Sequence, residues 1–422
     1  MRILHLVAVP SFTGAAEPAF DLARGLRSLG VEVELFADNL RAGNFREILE
    51  AHGFRKNPKL VLSTKAGPIA WLHDLSELRR RVTDFDVVHT HLSHDHGLAA
   101  LATRWALPSS ADSARLDPLT PRARPSSRPL LVRTIHAARG LEPSWGRRLL
   151  LRRGADGLTV ASHDEARILT GTQDSRTGPG TRDGKESEPQ GPHRFEREFT
   201  GHHRIDSARV LVLPGVVDAR RFHPDPEARA RVRQSLALSA SDFAIGCVAR
   251  FQAGRRHERM IEALAQVRVR HPEIKLVLIG HGEREAALRT LAEQAAPPGS
   301  IVFAGYHRED LNDYLAAMDA AVWLVPGNDA TSRAVLQAMA VALPVVGGRH
   351  GAIAEAVVEG ETGTLVDPDQ TNDIARGFAR LAERPDRGQS WGNAGRARVV
   401  AAYDLPSRAR QVLAFYQSLI GG

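Results

Sequence analysis

The chain predicts an α/β protein built from two Rossmann-like, doubly wound parallel-sheet domains that face one another across a cleft. Three observations carry that prediction. Short apolar runs alternate with amphipathic helical patterns from Arg2 onward, and strands interleaved with helices wind into a parallel sheet through right-handed crossovers. The alternation breaks in VLVLPGVVDARRFHP (residues 210–224) and then restarts as a second series. The length of 422 residues exceeds what one core organises, at about 100 to 200 residues per domain.

The elements follow in order. RILHLVAV is the first strand; His5 interrupts its apolar run and it leads straight into a helical pattern, which argues against a secretory leader. The helix from Glu17 to Leu29 sets Phe20, Leu22, Ala23 and Leu26 on one face, and Gly30 stops it. VEVELFA, DVVHTH, LLVRTIH and GLTVAS continue the strands. Residues 107–129 and 171–204, rich in Pro, Ser, Gly, Thr and charge, hold too little apolar surface to offset chain entropy. They read as exposed, disordered insertions in a first domain spanning 1–218.

The second domain, 219–402, begins with FAIGCVARF. A helix from Glu258 to His271, KLVLIGHG, a helix from Arg284, SIVFAGY, a helix from Asp310 to Met318 and AAVWLV follow. Pro326-Gly327 then breaks the chain, a helix restarts behind Asp329, Thr331 and Ser332, and Pro344 to Val346 returns as a strand. Residues 403–422 supply a last helix, from Pro406 to Ile420.

Composition narrows the function. With 43% hydrophobic and 25% charged residues, most of the chain is globular. The single cysteine, Cys247, lies in an apolar run, so it reads as a small buried hydrophobe in a chain from a reducing compartment. No run reaches the ~18 apolar residues of a membrane span. The net charge is +7, but the arginines are scattered and aromatics make up only 5%, which argues against a nucleic-acid partner. A basic surface also suits an anionic membrane leaflet. The expected location is therefore cytoplasmic, with peripheral contact at the inner membrane face as an option.

Open α/β sheets bind ligands outside the carboxyl ends of their strands, and a helix N-terminus there favours phosphate. The segment from Pro326 to Gly351 joins both features. Arg250 ends FAIGCVAR and Arg256 follows it; a guanidinium fork suits phosphate, although solvated arginines at a strand end are the plainer reading. Gly280-His281-Gly282 closes KLVLIG, where glycine admits a nearby backbone or a nucleotide. Gly14 sits in the first strand-to-helix loop, where tight packing would equally call for glycine, and His136 ends LLVRTIH. In HTHLSHDHG, alternation puts His89 and His91 on one face, with His94 and His96 following in the loop. That spacing permits zinc, a ligand cleft or plain surface. Asp84-Phe85-Asp86 and Asp367-Pro368-Asp369 fit the Asp-x-Asp pattern of manganese-binding transferases, yet the first pair precedes its strand. Both read as turn chemistry.

In layout these motifs resemble retaining family-4 glycosyltransferases of the GT-B fold. That family carries Glu-x7-Glu before Ala-Met-Ala; here the positions read Asp329 and Gln337, followed by Ala338-Met339-Ala340. PGVVDARRF is similar to the family linker Pro-x-Gly-Val-Asp-x-x-x-Phe, and ETGTLVDP to its Asn-Gly-x-Leu-Val segment. The resemblance extends over nearly all of the chain outside the two insertions. It implies a nucleotide-sugar donor held mainly by the second domain, with Arg250 and Arg256 on the diphosphate and Gln337 on the ribose. It puts Asp329 and His136 beside the transferred sugar and Gly14 close to the diphosphate; Gly280 and Gly282 at their strand end, and Thr331, Ser332 and Arg333 at the helix start, complete the expected donor site. His89, His91 and His94 fall on the acceptor side.

The resemblance further implies no metal or other cofactor, a saccharide or lipid-linked acceptor, and a role in cell-surface polysaccharide or lipopolysaccharide synthesis. It also implies a last helix folded back on the first domain. An amide at 337 keeps an acceptor oxygen but lacks the charge that makes such a bond about twice as strong. Three other readings therefore stay open: a nucleotide-sugar-binding partner subunit without turnover, a sugar-nucleotide epimerase or hydrolase on the same scaffold, and zinc chemistry at the histidines.

Overall fold

The computed structural model describes residues 1–12, 16–38, 40–55, 60–63, 67–104, 128–136, 145–171, 205–325, 329–384, 386 and 388–421, with backbone alone for 104, 145–148 and 329–332. Gly14 and nearly all of the segments 107–129 and 171–204 lie outside these residues. The chain forms two compact units, Met1–Leu213 with Arg408–Gly422, and Pro214–Ser407. The break falls slightly before the expected residue 218. The helix Leu405–Gly421 begins in the second unit and passes to the first at Arg408.

The first unit holds β1 (Arg2–Val7), β2 (Glu32–Ala37), β3 (Val87–Thr90), β4 (Leu130–Ile135), β5 (Gly157–Val160) and β6 (Val210–Val212). They form one parallel sheet in the order β2-β1-β3-β4-β5-β6. The order reverses between β1 and β3, which makes that pair the switch point where such sheets take ligands. Helices on both faces bury both sides of the strands, and this is why the strands read as near-continuous apolar runs. One face packs Ile3, Val87 and Val132 against the helix Ala16–Ser28 and against Ala409, Val412, Phe415 and Tyr416 of the last helix. The other packs Leu4, Leu6, Val88 and Leu131 against Leu78 and Leu98. Gly30, at φ 80°, takes the left-handed turn that ends the first helix at no steric cost.

The second unit repeats the plan. Its strands are β7 (Phe243–Val248), β8 (Ile274–Ile279), β9 (Ile301–Gly305), β10 (Ala320–Trp323), β11 (Val345–Gly348) and β12 (Gly363–Val366). They too form one sheet, in the order β12-β11-β10-β7-β8-β9, with every pair parallel and the switch point between β10 and β7. Leu336 and Met339 of the helix Asp329–Ala340 pack with Val277, Ala321 and Val345 on one face. Ile245, Leu276, Leu278, Val322 and Phe378 fill the other, with Cys247 among them. Burial pushes the Cys247 thiol up to about 12, so it packs as an inert small side chain.

Boundaries shift where turns take over. The helix expected from Glu258 to His271 is His257–Val267, because the N–H groups of Arg270 and His271 both turn back to the Val267 carbonyl. Among the described residues no helix is long and apolar enough to cross a membrane.

Candidate functional site

At the second unit's switch point, β7 and β10 pair Ile245 with Ala320 and Gly246 with Ala321. Trp323 Nε1 donates to the Val248 carbonyl at 3.0 Å and ties the strand ends together. The chain leaving β7 carries Arg250, and the chain leaving β10 enters the helix Asp329–Ala340. The exposed Arg250 side chain and that helix start therefore leave one sheet end from adjacent strands. Arg250 makes no side-chain hydrogen bond or ion pair to a described residue, so its charge is available to a ligand. The side chains of Asp329, Thr331 and Ser332 lie outside the described residues.

Gly280 and Gly282 serve this loop. A Cβ at 280 would meet the Ala249 carbonyl oxygen at 2.0 Å, and one at 282 the Phe251 carbonyl oxygen at 2.3 Å. The Phe251 N–H donates to the His281 carbonyl at 3.0 Å, and the Phe251 carbonyl accepts from the Arg284 N–H at 3.1 Å. The close approach is of one backbone to another, and it fixes the segment that presents Arg250.

Arg256 caps the helix His257–Val267 with a left-handed backbone, φ 63° and ψ 24°, a conformation costing a residue with a Cβ roughly 1–2 kcal/mol. Its Nη2 lies 2.7 Å from Asp369 Oδ1, and its Nε is buried without a hydrogen-bond partner. Asp367 makes the expected turn, its carboxylate accepting the Asp369 N–H at 2.9 Å. Asp369 does not belong to turn chemistry alone: its carboxylate is spent on Arg256, a pairing that sequence spacing could not reveal. Arg333 and Gln337 are buried on the helix Asp329–Ala340. The Gln337 amide makes no hydrogen bond to a described residue.

The first unit's switch point has another character. His5 and His89 are register partners across β1 and β3. The rings of His89 and His91 stack at 4.6 Å, those of His5 and His91 at 5.2 Å, and His136, just past β4, stacks on His91 at 5.6 Å. His5 Nδ1 and His91 Nε2 share a hydrogen bond of 2.9 Å. The two nitrogens of His89 are hydrogen bonded to the hydroxyls of Tyr416 and Thr134. Burial depresses His5 to about 3. Burial and then the neighbouring imidazoles hold His89 and His91 well below 6.5, so all three rings are neutral at pH 7.

Ring nitrogens of His5, His89 and His91 lie within 4.8 Å of one another, close enough for neutral imidazoles to share an ion. Most of that capacity is already used in internal hydrogen bonds; His5 Nε2 and His91 Nδ1 are the nitrogens left without partners. His89, expected on the acceptor side, is fully buried and saturated, so it supports the His91 ring rather than meeting a ligand.

His94 and His96 do not follow in a loop as expected; they lie on the helix Ser93–Arg104. Asp95 is the cause. Its carboxylate reaches back to the Leu92 N–H at 2.8 Å, the acidic arm of a capping box. It also accepts from the N–H groups of His91 and Ala8, each at 3.3 Å, which ties β1 to β3. Burial pushes Asp95 up to about 7 against the pull of the Leu92 and His91 N–H groups, of Arg133 and of the His96 N–H. The His96 ring turns inward to the Thr90 hydroxyl at 3.0 Å, so the four histidines of the motif do not converge. His94 is half-buried, with its Nε2 unpartnered. Sequence reasoning missed His5 and Asp95, although a histidine within an apolar strand was a usable signal.

Two doubly wound units, the second with a cationic switch point, define the GT-B class. Residues 228–398 match the model for glycosyl transferases group 1, and residues 13–178 match that for the glycosyl transferase 4-like domain. The two matches take in most of the chain, which belongs to the family-4 glycosyltransferases of the GT-B fold. It is 33% identical over 199 residues to a GDP-mannose-dependent alpha-(1-6)-phosphatidylinositol monomannoside mannosyltransferase of Mycolicibacterium smegmatis, covering 45% of this chain and 51% of that one. The chain thus spans about half the length of that relative. A D-inositol 3-phosphate glycosyltransferase of Pseudarthrobacter chlorophenolicus is 24% identical over 402 residues, covering 90% of this chain and 84% of the relative. Among solved structures, a glycosyltransferase from Rickettsia africae superposes with a TM-score of 0.76 at 14% identity, covering 99% of this chain and 98% of that one. Anabaena HepE in complex with UDP and glucose gives 0.72 at 17%, covering 99% and 100%. These two share the fold.

Proposed function

We propose that the protein is a retaining, metal-independent hexosyltransferase that moves a sugar from a nucleotide-sugar to a saccharide or lipid-linked acceptor. One observation carries the reading: Arg250, without a side-chain partner among the described residues, and a helix start leave adjacent strands at the second unit's switch point, with Arg256 heading the helix after β7. A departing nucleoside diphosphate gains negative charge as the glycosidic bond breaks, so fixed cations beside it favour the transition state over the ground state. At an effective dielectric of about 20, one such contact at 4 Å is worth about 4 kcal/mol. Thr331, Ser332 and Arg333 are assigned to the same donor, Gln337 to its ribose and Asp329 to its sugar. His91, His94 and His136 are the first-unit groups assigned to the acceptor and the reacting sugar.

The relatives' names make GDP-mannose the first donor to try and an inositol-bearing glycolipid the first acceptor. A cytoplasmic enzyme working peripherally at a membrane fits the helix Gly67–Arg81, which exposes Ile69 and Leu72 and ends in Arg79, Arg80 and Arg81. Apolar and basic groups on one surface helix suit an anionic leaflet. A screen of GDP-, UDP- and ADP-sugars against such acceptors, read by mass spectrometry, tests the activity. The anomeric configuration of the product tests retention, and an undiminished rate in EDTA tests metal independence. The amide at 337 favours a second reading, donor binding without turnover. Stoichiometric binding with no product from any donor would establish it.

A further inference from the structure

We propose that Asp369 is a positioning residue for the donor diphosphate, holding the Arg256 guanidinium in the one orientation that meets it. The inference rests on the reading that Arg256 contacts the diphosphate, and it gives a role to an aspartate that sequence logic left in a turn.

Both ends of the pair are built in. Arg256 is held in the left-handed region at the head of the helix His257–Val267. Asp369 sits in a segment pinned twice: its own N–H donates to Asp367 at 2.9 Å, and the Asp367 N–H donates to Asp373 at 2.8 Å. The helix entered from that segment, Thr371–Ala382, is latched to the helix of Arg256. The Thr371 hydroxyl donates to Glu262 at 3.1 Å, and Arg259 Nη1 donates to the same hydroxyl at 3.3 Å. The ion pair is thus the meeting point of two docked helices, unlike a chance surface contact between mobile side chains.

The guanidinium is correspondingly restricted. Nη2 faces Asp369 and Nε is covered, which leaves Nη1 and the second Nη2 proton as the donors on offer. Arginine loses considerable rotamer freedom when it is fixed, and fixing it beforehand removes that cost from ligand binding. The pair is well exposed, 40% at Arg256 and 54% at Asp369, so solvent screens it and the carboxylate does not cancel the cation. Arg250, with no such partner among the described residues, is left for the ligand itself to order.

The test is calorimetric titration of the full chain with GDP and with UDP, for the wild type, Arg256→Ala, Asp369→Asn, Asp369→Glu and the double variant Arg256→Ala/Asp369→Asn. Asp369→Asn is expected to weaken binding of the better nucleotide about three- to fivefold, the scale of an exposed ion pair. Asp369→Glu should recover part of the loss, and Asp369→Asn should add nothing once Arg256 is alanine. If Arg256→Ala weakens binding while Asp369→Asn leaves it unchanged, tightens it, or costs as much in the double variant as alone, the positioning role is overturned and the diphosphate reading survives. If Arg256→Ala has no effect, or the wild type binds neither nucleotide, the assignment of Arg256 to a diphosphate falls and the inference falls with it.

Discussion

Both units are six-stranded, doubly wound parallel sheets, with two strands before the switch point in the first and three in the second, and they fill their switch points oppositely. In the first, the crevice between β1 and β3 holds neutral histidines and Asp95, buried and bonded within the unit to one another, to the Tyr416 and Thr134 hydroxyls and to backbone N–H groups. In the second, the chain leaving β7 presents an arginine with no partner among the described residues and another steadied by a single exposed carboxylate. The same kind of doubly wound sheet thus frames an uncharged crevice in one unit and a cationic strand end in the other. The fold supplies the place, and the charge of a few loop residues decides what can occupy it.

The largest test of this contrast falls on the first unit's packing. Tyr416→Ala removes a fully buried ring and should destabilise that unit by about 3–5 kcal/mol. Tyr416→Phe, which strips the hydroxyl from His89, should cost about 1–3 kcal/mol. Urea unfolding with a probe in the first unit measures both, and equal losses would mean that the hydroxyl is the whole contribution. On the second unit, Arg250→Ala should lower kcat/KM roughly 100- to 1,000-fold with an unchanged melting temperature. Full activity would erase the electrostatic side of the comparison.

Titration sharpens the contrast next. The folded His5 resists protonation down to about 3, with His89 and His91 shifted the same way, whereas the unfolded chain takes up these protons near 6.5. Their contribution is therefore complete above pH 6.5 and is lost as pH falls, at about 1.4 kcal/mol per pH unit for each imidazole that titrates only on unfolding. Asp95, raised to about 7, runs the other way: its contribution is present at pH values below its unfolded value of about 3.9 and is lost as pH rises through 7. Melting curves from pH 8 to pH 4 should show a net fall, shallower in His5→Asn. The smallest effect belongs to Gln337→Glu, which should tighten GDP or UDP binding about two- to fivefold. A large loss would mean that position 337 does not face a ribose.

Much of this was legible in the chain. Alternating apolar runs mark the strands of both sheets except β6, whose VLV falls in the stretch where the alternation breaks. Arg250 was visible because a charged side chain directly after a buried apolar run marks the carboxyl end of its strand, where ligands bind. Residues acting through distant partners were not legible. His5 bonds to a residue 86 positions away, Asp95 reaches one 87 away, and Asp369 meets Arg256 only because two helices dock. The misplaced His94 and His96 have a local cause, since the Asp95 carboxylate starts a helix where spacing suggested a loop.

The passage of the last helix from one unit to the other sets an order of assembly. The second unit is a continuous stretch, Pro214–Ser407, and has all of its residues as soon as that stretch is synthesised. The first unit lacks Ala409, Val412, Phe415 and Tyr416 until that whole stretch has been made. Domains generally fold as units, N-terminal first, as they emerge. Here the first unit must wait, with its histidine layer uncovered, for a helix translated after the second unit is complete.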